Sequence, residues 1–165
     1  MAYKITDPLI GPQPIAVTDT TKNHQLGTIV RAEDVSYGAG EFIYLQGIAS
    51  TVVGSMVDYD SNLGVTALSP ATGGLGQVAV AMSINVASQY GWYQIAGNAV
   101  VKKTAVAVTP QVTLFLSATA GRVKVLASAG LQLLGARSAN LATIASTVST
   151  VTVTINRPHL QGQIT

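Results

Sequence analysis

At 165 residues the chain is long enough for one domain, with or without an arm, to bury a core unaided. Only 10% of its residues are charged and 48% are hydrophobic, against about 25% charged in an ordinary soluble domain, so the composition demands either a membrane segment or a surface largely covered by other protein. Lys102-Lys103, Arg122, Lys124 and Arg137 interrupt any run of about 20 apolar residues, the lack of cysteine excludes disulfides and thiolate metal sites, and nine scattered basic residues with a net charge of +2 make no stripe for nucleic acid.

The opening MAYKITDPLIGPQP has no apolar run before Asp7 and Pro8, so no signal peptide is expected and synthesis in the cytoplasm is the default. Residues 1–25 hold Pro8, Pro12 and Pro14 with Gly11 and show no helical or strand period, which predicts an extended arm ahead of a β domain over 26–165. Tyr3, Ile5, Leu9, Ile10 and Ile15 make the arm apolar enough to lie on another surface. A frayed terminus is the plainer reading of the same residues.

From Leu26 onward, short β-branched runs are punctuated by Gly, Asn, Ser and Pro. This grammar predicts strands near 27–32, 41–48, 53–59, 77–87, 92–96, 98–103, 112–117, 122–126, 133–137 and 150–156. In 77–87, Val78, Val80, Met82, Ile84 and Val86 share one face, while the small Ala79, Ala81, Ser83 and Ala87 share the other. The small face suits close approach of a neighbouring subunit, or a loop of the same chain. Leu133, Leu134, Leu141 and Ile144 allow at most one short helix within 131–146, and Gly130 and Gly135 argue against more. The expected fold is all-β, a single barrel- or sandwich-like domain with an extended N-terminal arm.

Motifs for chemistry are weak. Gly74-Leu75-Gly76-Gln77-Val78-Ala79 fits a dinucleotide fingerprint in letters, but period-two alternation follows where a helix is required. Asp58-Tyr59-Asp60-Ser61-Asn62 offers calcium-loop oxygens, yet Leu63 and Ser69 replace the required Gly and Glu, leaving an Asx-rich turn. His24 and His159 are the only imidazoles and lack sequence neighbours that would orient them. Glu33-Asp34 and the Asp58/Asp60 pair flank predicted turns, where acidic residues are usual. An enzyme is not expected, nor a metal or other cofactor. In Tyr90-Gly91-Trp92-Tyr93, strand geometry sends Trp92 and Tyr93 to opposite faces, which favours a buried anchor over a stacking platform.

LGTIVRAEDVSYGAGEFIYLQGIASTVVGSMVDYD, followed by GQVAVAMSINVASQYGWYQIAGNAVVKK and FLSATAGRVKV, resembles the head decoration, or capsid cement, proteins of tailed bacteriophages. The likeness spans about residues 25–157 as order and spacing of segments and is most specific in GEFIYLQG and YGWYQIAG. It implies a β-rich, non-catalytic homo-oligomer, commonly a trimer, made in the host cytoplasm. Such proteins sit on the capsid exterior, often hold it through an N-terminal arm, and bridge major capsid proteins; neither nucleic acid nor membrane is an expected partner. The family has no active-site motif to transfer. Tyr3, Ile5, Leu9 and Ile10 are the candidate shell contacts, and Ala79, Ala81, Ser83 and Ala87 the candidate subunit interface. The alternative is a tail or fibre module that stacks a host glycan on Tyr90, Trp92 and Tyr93.

Overall fold

The structure is a computed structural model and describes residues 4–5, 13–60, 64–70 and 76–162. All its regular elements are strands: β1 (Lys4–Ile5), β2 (Ile29–Asp34), β3 (Gly38–Gln46), β4 (Met56–Tyr59), β5 (Thr66–Leu68), β6 (Gln77–Ala81), β7 (Tyr90–Lys102), β8 (Thr113–Leu116), β9 (Val123–Lys124), β10 (Gln132–Ser138) and β11 (Thr150–Leu160). They form one antiparallel sheet in the order β1-β2-β3-β7-β6-β11-β10-β8-β9, with β4 bridging β5 to β6 and β7 also pairing with β11. The all-β expectation holds, in a sheet that is not closed and folds on itself like a sandwich. Single bridges, Gln46↔Val65 and Lys103↔Val123, draw its outlying strands toward β3 and the end of β7.

Local chemistry sets the first hairpin. The Asp34 carboxylate accepts the backbone N–H groups of Ser36 (2.8 Å) and Tyr37 (3.1 Å), forming an Asx turn that sends the chain from β2 into β3. β3 then pairs with β7 from Gln46↔Tyr90 to Glu41↔Ala96. The other edge of β7 is shared: Tyr93 and Gln94 face β6, and Ala96 to Lys102 face β11. One 13-residue strand thus replaces the two expected at 92–96 and 98–103, because β11 continues the pairing past Gly97 without a break.

Three apolar clusters result. Val30, Ala32, Phe42, Tyr44 and Trp92 pack with Ile15 and Met82 on one side of the β2–β3–β7 layer. Ile43, Leu45, Val57, Tyr59, Ala79, Ala81, Tyr93 and Ile95 fill the other side. The largest cluster joins β6 and the second half of β7 to β8–β11, through Val78, Val80, Ala99, Val101, Leu114, Leu133, Val153 and Ile155 among others.

No helix occurs among the described residues, within the allowance of at most one, and the strand expected over 133–137 is β10, with Leu141 wholly exposed beyond it. Three expectations change. The strand predicted over 77–87 ends at Ala81. Met82 turns into the aromatic cluster and Ile84 points to solvent, so the alternation of large residues is not one face throughout. Within the predicted arm, Gln13 and Ile15 are buried, and Asp19 and Tyr90 exchange two backbone hydrogen bonds of 2.9 and 2.8 Å, so residues 13–25 are part of the domain's packing. Strand β5 was not foreseen from its three residues.

Candidate functional site

The aromatic cluster is architecture. Trp92 and Tyr93 are both fully buried, on opposite faces of β7 as period two requires. The Trp92 indole N–H donates to the Gln13 carbonyl at 3.1 Å, and its ring meets Tyr44 at 5.1 Å and His24 at 5.5 Å between centroids. Tyr90 is half-buried and stacks on Tyr44. A glycan platform of Tyr90, Trp92 and Tyr93 is therefore ruled out in this fold: two of its three rings have no face to offer.

Tyr93 faces the other core, where its hydroxyl accepts from Asn85 Nδ2 at 2.8 Å. Burial pushes its pKa up to about 12, against hydrogen bonds from Thr66 and Asn85 that pull it down. Burial raises the Tyr44 and Tyr59 hydroxyls in the same direction. At the far end of β7, Lys103 is 1% exposed, and its ammonium donates to the carbonyls of Thr104 (3.3 Å), Val106 (2.8 Å) and Ala145 (3.0 Å). Burial lowers its pKa. All three N–H donors are engaged by backbone, which makes this lysine a clamp between two loops.

The small-residue face on β6 does not present an interface. Ala79 and Ala81 are fully covered by Ile43, Leu45, Tyr93 and Ile95 of the same chain, and Ser83 is buried against Gly91, where an added Cβ would lie 3.2 Å from its Oγ. Ala79 and Ala81 belong to the same packed cluster as the larger Ile43, Leu45, Val57, Tyr93 and Ile95. Of that set only Ala87 is exposed. Ile5 lies in β1, paired with Ala32, while Tyr3, Leu9 and Ile10 fall outside the described residues.

Among the described residues the chemical motifs are not assembled into a centre. His24 packs edge-on to Tyr44, and exposed His159 sits opposite Gln77 on β11. The Asp58 carboxylate is buried and accepts from the Ser69 hydroxyl. Among the described residues no group of three or more His, Asp or Glu side chains is placed to hold a metal, and no helix is long and apolar enough to cross a membrane.

Two surface features remain. At one end, Val17, Val52, Val53 and Ile84 are 42%, 39%, 45% and 60% exposed, around a groove of about 420 Å³ lined by Ala16, Thr18, Val53, Met82, Ser83 and Ile84. On the outer face of the sheet, Arg31 Nε and Arg157 Nη2 converge on the Glu41 carboxylate at 3.5 and 2.8 Å. Sequence reasoning missed this second feature, since Arg31 and Glu41 face each other across the β2–β3 hairpin but Arg157 comes from β11, 116 residues beyond Glu41. One signal was available: all seven acidic residues lie within the first 60 positions, whereas 61–165 carries six basic residues and no acidic one. Comparison with known proteins gives no match, whether by family model, curated protein or solved structure.

Proposed function

We propose that the chain is a structural virion protein that binds the outer surface of a phage capsid as a homo-oligomer, a trimer in the simplest case, and stabilises the shell by bridging major capsid proteins. It acts by burial of surface and without catalysis. The observation that carries the reading is the apolar end formed by Val17, Val52, Val53 and Ile84 in a chain with only 10% charged residues. Contiguous exposed apolar residues on a sparsely charged protein favour a covered state, and the groove beside Val53 and Ile84 gives a neighbouring protein a shape to fill. Tyr3, Ile5, Leu9 and Ile10 are a second candidate contact, carried by the sequence alone. Many weak contacts repeated over a lattice give avidity.

The test is cosedimentation of the full chain with empty expanded capsids of the phage that encodes it. Val53→Asp with Ile84→Asp is expected to reduce bound protein about tenfold or more while circular dichroism stays unchanged, because both side chains are solvent-facing. Deleting residues 2–10 tests the arm separately. A longer deletion through Ile15 would remove the Gln13 carbonyl that holds Trp92 and would confuse binding with folding. Undiminished binding by the double aspartate variant sinks the apolar-end contact, and failure of the wild-type chain to bind any shell sinks the function.

A further inference from the structure

Six basic residues follow position 60 and no acidic one does. Two of the six are satisfied within the chain, the Lys103 ammonium by three carbonyls and Arg157 by Glu41. Three of the other four meet at one place. A parallel bridge sets Lys103 beside Val123, and the Thr104 N–H donates to the Val123 carbonyl at 3.0 Å. Lys103 and Val123 are buried, so alternation turns their neighbours Lys102, Arg122 and Lys124 to the outer face. One strand spacing and two residue steps put these three backbones within about 8 Å of one another. All three residues are half-buried, and Arg122 Nη1 donates to the Lys103 carbonyl at 3.1 Å.

No carboxylate of the chain balances them. None of the three makes an ion pair among the described residues. The carboxylates are engaged elsewhere. Asp34 caps the β2–β3 turn, Glu41 holds its two arginines, and Asp19 accepts from Asn23 Nδ2 at 2.7 Å. Asp58, on neighbouring β4, is buried and accepts from Ser69. Like charges this close repel, and a carboxylate brought from outside relieves that repulsion.

This cationic site adjoins the apolar end. The Lys102 N–H donates to the Gly54 carbonyl at 2.8 Å, and the Gly54 N–H to the Ala81 carbonyl at 2.8 Å. Gly54 has φ +81°, and a Cβ there would lie 2.9 Å from the Val100 carbonyl oxygen, so a side chain at this position would push the loop off β7. On the other side the Met56 N–H donates to the Gly121 carbonyl at 3.0 Å, directly ahead of Arg122. The loop therefore carries exposed Val52 and Val53 beside Lys102, with exposed Ile84 three residues past Ala81.

An apolar centre with a charged rim is the anatomy of a protein–protein interface. Single-stranded nucleic acid stacks its bases on successive rings, whereas Phe115, paired with Lys124, is a single half-buried ring. Anionic membranes draw clusters of about four to eight cations, and this site has fewer. We propose that the combined surface docks an acidic protein face, whose carboxylates pair with Lys102, Arg122 and Lys124 around an apolar contact on Val52, Val53 and Ile84. The inference rests on the shell-binding reading and gives the docking site on the shell its chemistry, carboxylates around an apolar centre.

The experiment is cosedimentation of the full chain with empty expanded capsids of the phage that encodes it, at about 50 mM and about 500 mM NaCl. Wild-type binding is expected to weaken about tenfold between the two salts. Lys102→Gln with Lys124→Gln keeps most of both stems and the Arg122 contact; it should weaken binding about fivefold at low salt and match wild type at high salt. Arg137→Gln, on β10 opposite Thr154, should stay within about twofold of wild type at both salts. Failure of the wild-type chain to bind any shell sinks the function and this inference with it. Salt-independent binding, or a double variant that binds as wild type at low salt, overturns the acidic contact and leaves the apolar-end contact standing. The proposal is also overturned if phosphatidylserine vesicles or a single-stranded oligodeoxynucleotide bind the chain at low salt more tightly than the shell does.

Discussion

The two ends of β7 are built on different physics. From Tyr90 to Ala96 the strand is covered on both faces, by Ile15, Phe42 and Tyr44 on one side and Ile43, Leu45 and Tyr59 on the other. From Asn98 to Lys102 only Ala99 and Val101 enter a core, and the strand leads into Lys103, whose ammonium is sealed among three carbonyls. The first end is held by apolar area and ring contacts, which tolerate small shifts. The second is held by satisfied polar groups, which do not, because a buried donor or acceptor without its partner keeps its full desolvation penalty.

The largest effect should come from the aromatic end. Trp92→Ala removes a fully buried indole and leaves the Gln13 carbonyl without its donor, and is expected to cost roughly 3–5 kcal/mol in urea unfolding followed by circular dichroism. A loss below about 1 kcal/mol would show that residues 13–28 are not packed as described. At the polar end, Lys103→Met keeps the stem and removes the three N–H donors; a smaller loss of about 1–3 kcal/mol is expected. Hydrogen exchange should then rise first around 104–106 and 142–149. Uniform exchange across β7 would break the distinction between its ends.

The smallest effect sharpens the comparison by pH. Tyr93 has its folded pKa raised to about 12, from an ordinary 10.0, so the stability it lends is full below pH 10 and is lost as pH climbs toward 12. Tyr44 and Tyr59, raised likewise, add to this decline. Lys103 runs the other way. Its folded pKa lies below the ordinary 10.5, so its contribution improves as pH rises through the folded value and is lost as pH falls through it. Tyr93→Phe should therefore flatten the alkaline decline between about pH 10 and 12, and Lys103→Met should remove the rise in stability that wild type gains from this lysine as pH approaches 10.5. Identical slopes in all three proteins would show that neither group is buried in its folded charge state.

Much of the sheet was legible because the signal is local. β-branched runs between Gly and Asx turns marked most of the strands, and the period of two placed Trp92 and Tyr93 on opposite faces before any packing was known. The roles of small residues were not legible. Ala79 and Ala81 read equally well as an interface or as a tight internal contact, and only their burial in one cluster with Ile43, Leu45, Tyr93 and Ile95 decides for the latter. Leu133, Leu134, Leu141 and Ile144 left room for a helical turn beside the strand expected over 133–137, because short apolar runs carry no unique period; pairing of β10 with β8 and β11 decides for the strand.

By itself the sequence determined an all-β chain, the apolar faces of its longer strands, and a charge distribution with every acidic residue in the first 60 positions. Only the tertiary structure decided that Trp92 is covered by Gln13 and Ile15, that Lys103 finds its acceptors on loops up to 42 residues away, and that Arg31, Glu41 and Arg157 meet on one face. The physical reason is range. Backbone propensity and alternation act between near neighbours, whereas burial and ion pairing exist only once distant segments are in register.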